Sequence, residues 1–137
     1  MSVVDLAVAR LRVAEGFRPH VYRDTVGKQT IGYGFNVDAG ISEYAADALL
    51  VAQTEERETE LKEYWWAAGL DDVRMSVIVE IAFNSGTVAL LHFVKMLSAV
   101  GAKNWEEAKA ELLDSDAARQ LPARYAKLAQ IMLTGNP

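Results

Sequence analysis

Apolar residues recur at steps of three and four along most of the chain, which is the spacing of amphipathic helices. The first such stretch carries Val4, Val8 and Leu11 on one face and predicts a helix over residues 3–15. Four residues beyond Leu11 stands Glu15, so a carboxylate ends the apolar stripe. Gly16 follows it and predicts that the helix ends there in a left-handed cap.

Similar patterns predict further helices downstream. Ser42 and Asn104 are good N-cap residues, and Pro122 suits the first turn of a final helix. The segment around Met75 is apolar nearly all round, which is typical of a helix enclosed by others. Trp65 and Trp66 close the first of these helices, where they would serve as packing anchors or stack on a sugar. The predicted helices cover residues 43–66, 75–83, 87–100, 104–113 and 122 onward.

A short segment after the first helix has a different pattern. Val21–Tyr22 and Thr30–Tyr33 are β-prone, and the residues between them, 24–28, are rich in turn formers. This pattern predicts a β-hairpin, with residues 35–40 as a loop. Gly32 and Gly34 lack the third glycine of a dinucleotide-binding loop, and we expect them to let a sugar or another backbone approach closely.

Composition narrows the classes of protein that fit. A chain of 137 residues, 51% of them hydrophobic, is long enough for one domain with a core and too short for two independent ones. It has no cysteine and a net charge of −5, and its basic residues are scattered, which argues against nucleic-acid binding. Charged residues interrupt the N-terminal apolar run, so we expect no signal peptide, no stable membrane insertion and synthesis in the cytoplasm.

The segment from Glu15 to Gly34 carries the candidate chemistry. The negative end of the helix dipole and partial burial would both favour a protonated Glu15, as a general acid requires. Asp24 at an exposed turn would stay ionised, and Thr30 would present a free hydroxyl. One protonated and one ionised carboxyl group is the arrangement that cleaves glycosidic bonds. Taken singly, each of these residues has an ordinary structural explanation, and only their joint spacing favours catalysis.

The two histidines do not indicate a metal site. Neither His20 nor His92 has another His, Cys or carboxylate at ligand spacing. We therefore expect no metal and no cofactor.

The spacing of Glu15, Asp24 and Thr30 resembles that of the T-even phage-type lysozymes, the endolysin family of muramidases. The three residues stand within Glu-Gly-Phe-Arg, Tyr-Arg-Asp-Thr and Thr-Ile-Gly-Tyr-Gly. The resemblance continues in Phe-Asn-Ser-Gly at residues 83–86 and in Pro-Ala-Arg at residues 122–124. It covers nearly the whole chain.

The resemblance implies an α+β, lysozyme-like fold in a single bilobed domain spanning residues 1–137. A small N-terminal lobe with an antiparallel β-hairpin or sheet would span residues 16–45, and a connecting helix would span residues 43–66. A larger helical C-terminal lobe would comprise residues 67–137 together with helix 3–15. The protein would be a monomer.

The resemblance also implies hydrolysis of the β-1,4 bond between N-acetylmuramic acid and N-acetylglucosamine in peptidoglycan, with inversion. Glu15 would be the general acid, Asp24 the base or water-positioning carboxylate, and Thr30 would help to hold the water. Arg124 would pair with the catalytic acid. The substrate-binding or supporting residues would be Asn84, Arg124, Gly32 and Tyr33. Phe35 replaces a family histidine, so a supporting interaction beneath the hairpin differs here.

Two other functions remain open from the sequence. A lytic transglycosylase needs the acid but no water-activating partner, and a lysozyme-like module without catalysis would serve in wall binding or as a virion part. The intact trio of Glu15, Asp24 and Thr30 favours an enzyme. Such an enzyme would act on the cell wall of the host after a separate protein has permeabilised the membrane.

Overall fold

The computed structural model describes all residues 1–137 and has an α+β fold with a small antiparallel sheet and eight helices. Its backbone forms two compact units, residues 1–47 and 48–137. The predicted assignment of lobes within a single domain stays a prediction. The helices are α1 (Val3–Glu15), α2 (Glu43–Leu61), α3 (Asp72–Ser85), α4 (Thr87–Leu91), α5 (Val94–Gly101), α6 (Trp105–Leu113), α7 (Asp116–Gln120) and α8 (Pro122–Thr134), and the strands are β1 (Arg18–Arg23), β2 (Gln29–Gly32) and β3 (Phe35–Asn36).

Helix α1 has the predicted bounds because both of its ends are specified locally. The Ser2 hydroxyl accepts a hydrogen bond from the Asp5 amide at 3.1 Å, and the Asp5 carboxylate accepts one from the Ser2 amide at 2.9 Å. At the other end Gly16 has a φ of 69°, but its ψ of 157° is extended, so the predicted left-handed cap is wrong in detail. No residue of α1 is buried, and the partial burial expected for Glu15 is therefore wrong.

The sheet has the order β1-β2-β3, with both pairs antiparallel. The predicted hairpin is its first pair, in which Tyr22 lies opposite Thr30. The loop predicted over residues 35–40 is wrong at its start, because Phe35 lies opposite Ile31 and forms β3. Two residues are too few to show an alternating pattern, and only the pairing with β2 makes them a strand.

Helix α3 contributes six buried residues to the core of the second unit, more than any other helix, as its apolar sequence predicts. Arg74 joins it to the end of α8, since its Nε and Nη2 donate to the carbonyl oxygens of Met132 and Leu133 at 2.6 and 2.9 Å. The Arg74 guanidinium also lies 3.9 Å from the centroid of the Trp105 ring. The buried residues of α3 are Met75, Val77, Ile78, Val79, Ile81 and Ala82.

The helix predicted over residues 43–66 is shorter in the structure. Helix α2 ends at Leu61, and a separate 3-10 turn covers Trp65–Ala67. Leu61 and Trp66 are both buried, yet residues five apart in a helix point about 140° away from each other. The break lets both side chains enter the core. Trp66 is thus the expected packing anchor, whereas Trp65 is 66% exposed.

The helix predicted over residues 87–100 is two helices, α4 and α5. The amides of His92 and Phe93 donate to carbonyls three residues back, which tightens and ends α4, and Phe93 leaves the helical region with a ψ of 56°. Val94, the first residue of α5, is apolar but 65% exposed. Packing of Met96 and Leu97 into the core decides the orientation of α5 instead. None of the helices is both long and apolar enough to cross a membrane.

Replacing Leu112 by alanine should lower the free energy of unfolding of the second unit by about 2–5 kcal/mol, because this α6 side chain is completely buried. Its neighbour Leu113 is 40% exposed, so Leu113→Ala should cost under about 1 kcal/mol. All three tryptophans lie in residues 48–137, so urea titration followed by their fluorescence reports on this unit. Equal losses of unfolding free energy in the two variants would contradict the difference in burial between Leu112 and Leu113.

Candidate active site

Glu15, the last residue of α1, lies against the turn that joins β2 to β3. An ideal Cβ built on Gly34 would stand 2.5 Å from the Glu15 Oε2 atom. Close by along the chain, the rings of Phe17 and Tyr33 pack with centroids 5.5 Å apart. These two contacts fix the end of α1 on the turn. The Glu15 side chain itself is exposed and open to a ligand.

The two glycines of this turn are approached by side chains of the protein itself, and the predicted approach of a sugar stays a prediction. A Cβ on Gly32 would stand 2.9 Å from the Phe35 ring, so Phe35 packs directly over this glycine. Gly34 leaves the corresponding space to the Glu15 carboxylate. Both glycines have positive φ, 68° and 77°, which other residues rarely adopt.

Asp24 lies at the β1–β2 turn, where the backbone orients its carboxylate. Its Oδ1 accepts hydrogen bonds from the amides of Val26 at 3.0 Å and Lys28 at 2.8 Å. These bonds close the turn in the manner typical of aspartate. They leave Oδ2 available to a water molecule or a substrate, at a half-buried position.

Thr30 is linked to Asp24 through one carbonyl oxygen. The Lys28 oxygen accepts from the Asp24 amide at 2.9 Å and from the Thr30 hydroxyl at 3.1 Å. Thr30 is only 5% exposed, and its single hydroxyl hydrogen is used in this bond. The predicted free hydroxyl is therefore wrong in one respect: its hydrogen is already donated to the Lys28 oxygen, and Thr30 is buried in the central strand. The lone pairs of the Thr30 oxygen can still accept a hydrogen bond.

The sheet thus brings the three predicted catalytic residues together around β2. Glu15 lies beside the turn at one end of this strand, and Asp24 with Thr30 lies towards the other. An exposed carboxyl group and a separately oriented carboxylate can provide an acid and a base to one substrate.

The remaining predicted polar residues, Asn84 and Arg124, meet in the second unit. Arg124 on α8 donates from Nη1 to the Asn84 side-chain oxygen at 3.0 Å. It also donates from Nη2 and Nε to Glu80 Oε1, at 3.0 and 3.2 Å. The pairing of Arg124 with Glu15 that the resemblance implies stays a prediction.

A comparison with protein families identifies the chain. The model of the family described as phage lysozyme matches residues 12–124, a stretch that includes every candidate residue above. The chain belongs to the phage lysozyme family. Proteins of this family lyse peptidoglycan, so membership supports an enzyme that acts on the cell wall. No individual curated protein matches the chain.

Three contributors to the candidate site were missed from the sequence. The carbonyl of Lys28 could not be found, since a backbone oxygen leaves no sequence signal. Gly34 had a signal in the Gly-Tyr-Gly motif, but the sequence does not show which group approaches it. Glu80 stands one helical turn before Asn84, a spacing that puts both on one face of α3 but does not show which group that face meets.

Replacing Gly34 by alanine should reduce the lytic activity about tenfold, because the new methyl group would displace the Glu15 carboxylate. The positive φ adds a cost of about 1–2 kcal/mol in stability. Gly40→Ala is the matched control, since Gly40 has the same φ of 77° and nothing within 4 Å of an added Cβ. Turbidity assays on cell walls and thermal melts would separate the two effects. Equal activity losses in both variants would show that backbone strain, not the contact with Glu15, is responsible.

Proposed function

We propose that this member of the phage lysozyme family is an endo-N-acetylmuramidase that hydrolyses the β-1,4 bond between N-acetylmuramic acid and N-acetylglucosamine. Glu15 protonates the leaving oxygen. Asp24 acts as the base that orients and activates a water molecule, and the Thr30 oxygen accepts a hydrogen bond from that water. The attack on the face opposite the leaving group inverts the anomeric carbon.

The observation that carries this proposal is the contrast between the two carboxyl groups. Asp24 is held by two backbone amides through one oxygen, so the other oxygen has a defined direction. Glu15 is exposed at the C-terminal end of α1 and lies beside Gly34, where its carboxyl group can reach a ligand. An inverting glycosidase needs such a pair about 6.5–9.5 Å apart, with space for water between them.

Four further residues take supporting roles in the proposal. Tyr33 packs against Phe17 and so holds the turn beside Glu15. Gly32 keeps that turn in its positive-φ conformation under Phe35. Asn84 and Arg124 contact the substrate or the catalytic acid, as the family resemblance implies.

The proposed partner is the glycan strand of peptidoglycan, and the chemistry needs no cofactor. We further propose that the protein acts as a monomer. It is made in the host cytoplasm and reaches the wall once a separate protein has permeabilised the membrane.

Analysis of the products from purified peptidoglycan tests the proposed reaction. A hydrolase gives fragments with ordinary reducing ends, and an inverting one releases the α-anomer first, which proton NMR detects in early time points. A lytic transglycosylase would give anhydro-sugar ends that are one water lighter by mass spectrometry. Wall binding without any new ends would indicate a non-catalytic module, and either of the last two results would overturn the proposal.

A further inference from the structure

Arg124 lines a groove within the second unit whose walls come from α2, α3 and α8. Ser76, Glu80 and Phe83 of α3 line the same groove, together with Glu58 of α2. Arg124 is the only cation among the lining residues. Its side chain is 40% exposed and that of Glu80 is 47% exposed, so both remain accessible to solvent.

The hydrogen bonds of Arg124 fix the guanidinium plane from two directions. Nε and Nη2 both donate to Oε1 of Glu80, which binds one edge of the group, while Nη1 donates to Asn84. Arginine has five N–H bonds in a rigid planar arrangement. Three of them are used here, so two remain for another anionic or carbonyl group.

This arrangement has little to do with stability. Ion pairs as exposed as this one contribute about 0–1 kcal/mol. Helices α3 and α8 are already held together by buried side chains and by the bonds from Arg74. Glu80 instead orients the Arg124 side chain. Without it, this side chain would lose rotamer entropy each time it bound a substrate group.

We propose that Glu80 is a positioning residue of this enzyme, which holds the Arg124 guanidinium in one orientation and leaves two of its N–H bonds free for the substrate. This inference rests on the proposed function, in which Arg124 supports the catalytic acid or the substrate. Asn84 completes the support from one turn further along α3. The sequence by itself shows only that Glu80 shares a helix face with Asn84.

Kinetics of Glu80→Gln on soluble uncross-linked glycan strands test the proposal. We expect kcat to fall about threefold to tenfold with KM nearly unchanged, because the arginine is misaligned and not removed. Glu58→Gln is the matched control: it removes one negative charge from the same groove, and Glu58 is 46% exposed and pairs with Lys62 instead. That variant should keep the wild-type kcat, and both should keep the wild-type melting temperature.

A double-mutant cycle with Arg124→Gln separates positioning from any general effect of charge. If Glu80 acts through Arg124, adding Glu80→Gln to Arg124→Gln should cause no further loss of kcat. An equal further loss in that background, or wild-type kcat in Glu80→Gln alone, would overturn the positioning role. Failure of the muramidase proposal would look different, because the wild type would then release no reducing ends at all.

Discussion

Glu15→Gln should lower kcat/KM on peptidoglycan by about 100-fold to 10,000-fold, which is the usual contribution of a general acid. Glutamine keeps the size of the side chain beside Gly34 but cannot donate a proton to the leaving oxygen. Because Glu15 is exposed and no residue of α1 is buried, the melting temperature should not change. Counting new reducing ends by a colorimetric assay, with circular dichroism melts of the same samples, measures both quantities.

The matched control for this variant is Glu43→Gln. Glu43 is also exposed and lies at a helix end of the same unit, in the first turn of α2. It should retain activity within about twofold, since surface substitutions of this kind change little. Full activity of Glu15→Gln would remove the proton donor from the mechanism, whereas loss in both variants would indicate a general effect of charge on wall binding.

The structural features that could be predicted are those specified by residues close together in the chain. The bounds of α1 follow from the Ser2 cap and Gly16, and the hairpin follows from the turn-forming residues between two β-prone runs. The helix caps and the hairpin turn depend on residues four or fewer positions apart. The buried position of α3 can be inferred from the number of its apolar side chains.

The features that were missed depend on packing between distant residues. Helix α2 stops at Leu61 because Trp66 must also enter the core, and β3 exists only because β2 lies beside it. Glu80 and Asn84 stand one helical turn apart in the sequence, but their partner Arg124 stands 44 residues after Glu80. Sequence spacing places side chains on one face of a helix, and it does not reveal what that face meets.

Asp24→Asn should reduce hydrolysis by about 100-fold or more, because the amide cannot take a proton from the attacking water. The hairpin should survive, since the asparagine oxygen can still accept from the Val26 and Lys28 amides as Oδ1 does now. Asp38→Asn is a matched control, because Asp38 also accepts a hydrogen bond from the β2 backbone, at 3.3 Å from Gln29. The initial rate of reducing-end release should be measured for the wild type, Asp24→Asn and Asp38→Asn.

Adding Asp24→Ala distinguishes a chemical role of the carboxylate from its role in the turn. Alanine removes both hydrogen bonds, so it should lower stability by about 1 kcal/mol or more where asparagine does not. If the carboxylate activates water, asparagine and alanine should be inactive to a similar degree despite their different stabilities. If Asp24 only shapes the turn, asparagine should hydrolyse like the wild type and alanine alone should be impaired. That second pattern would show that hydrolysis does not need the Asp24 carboxylate, and it would remove Asp24 from the proposed mechanism as the base.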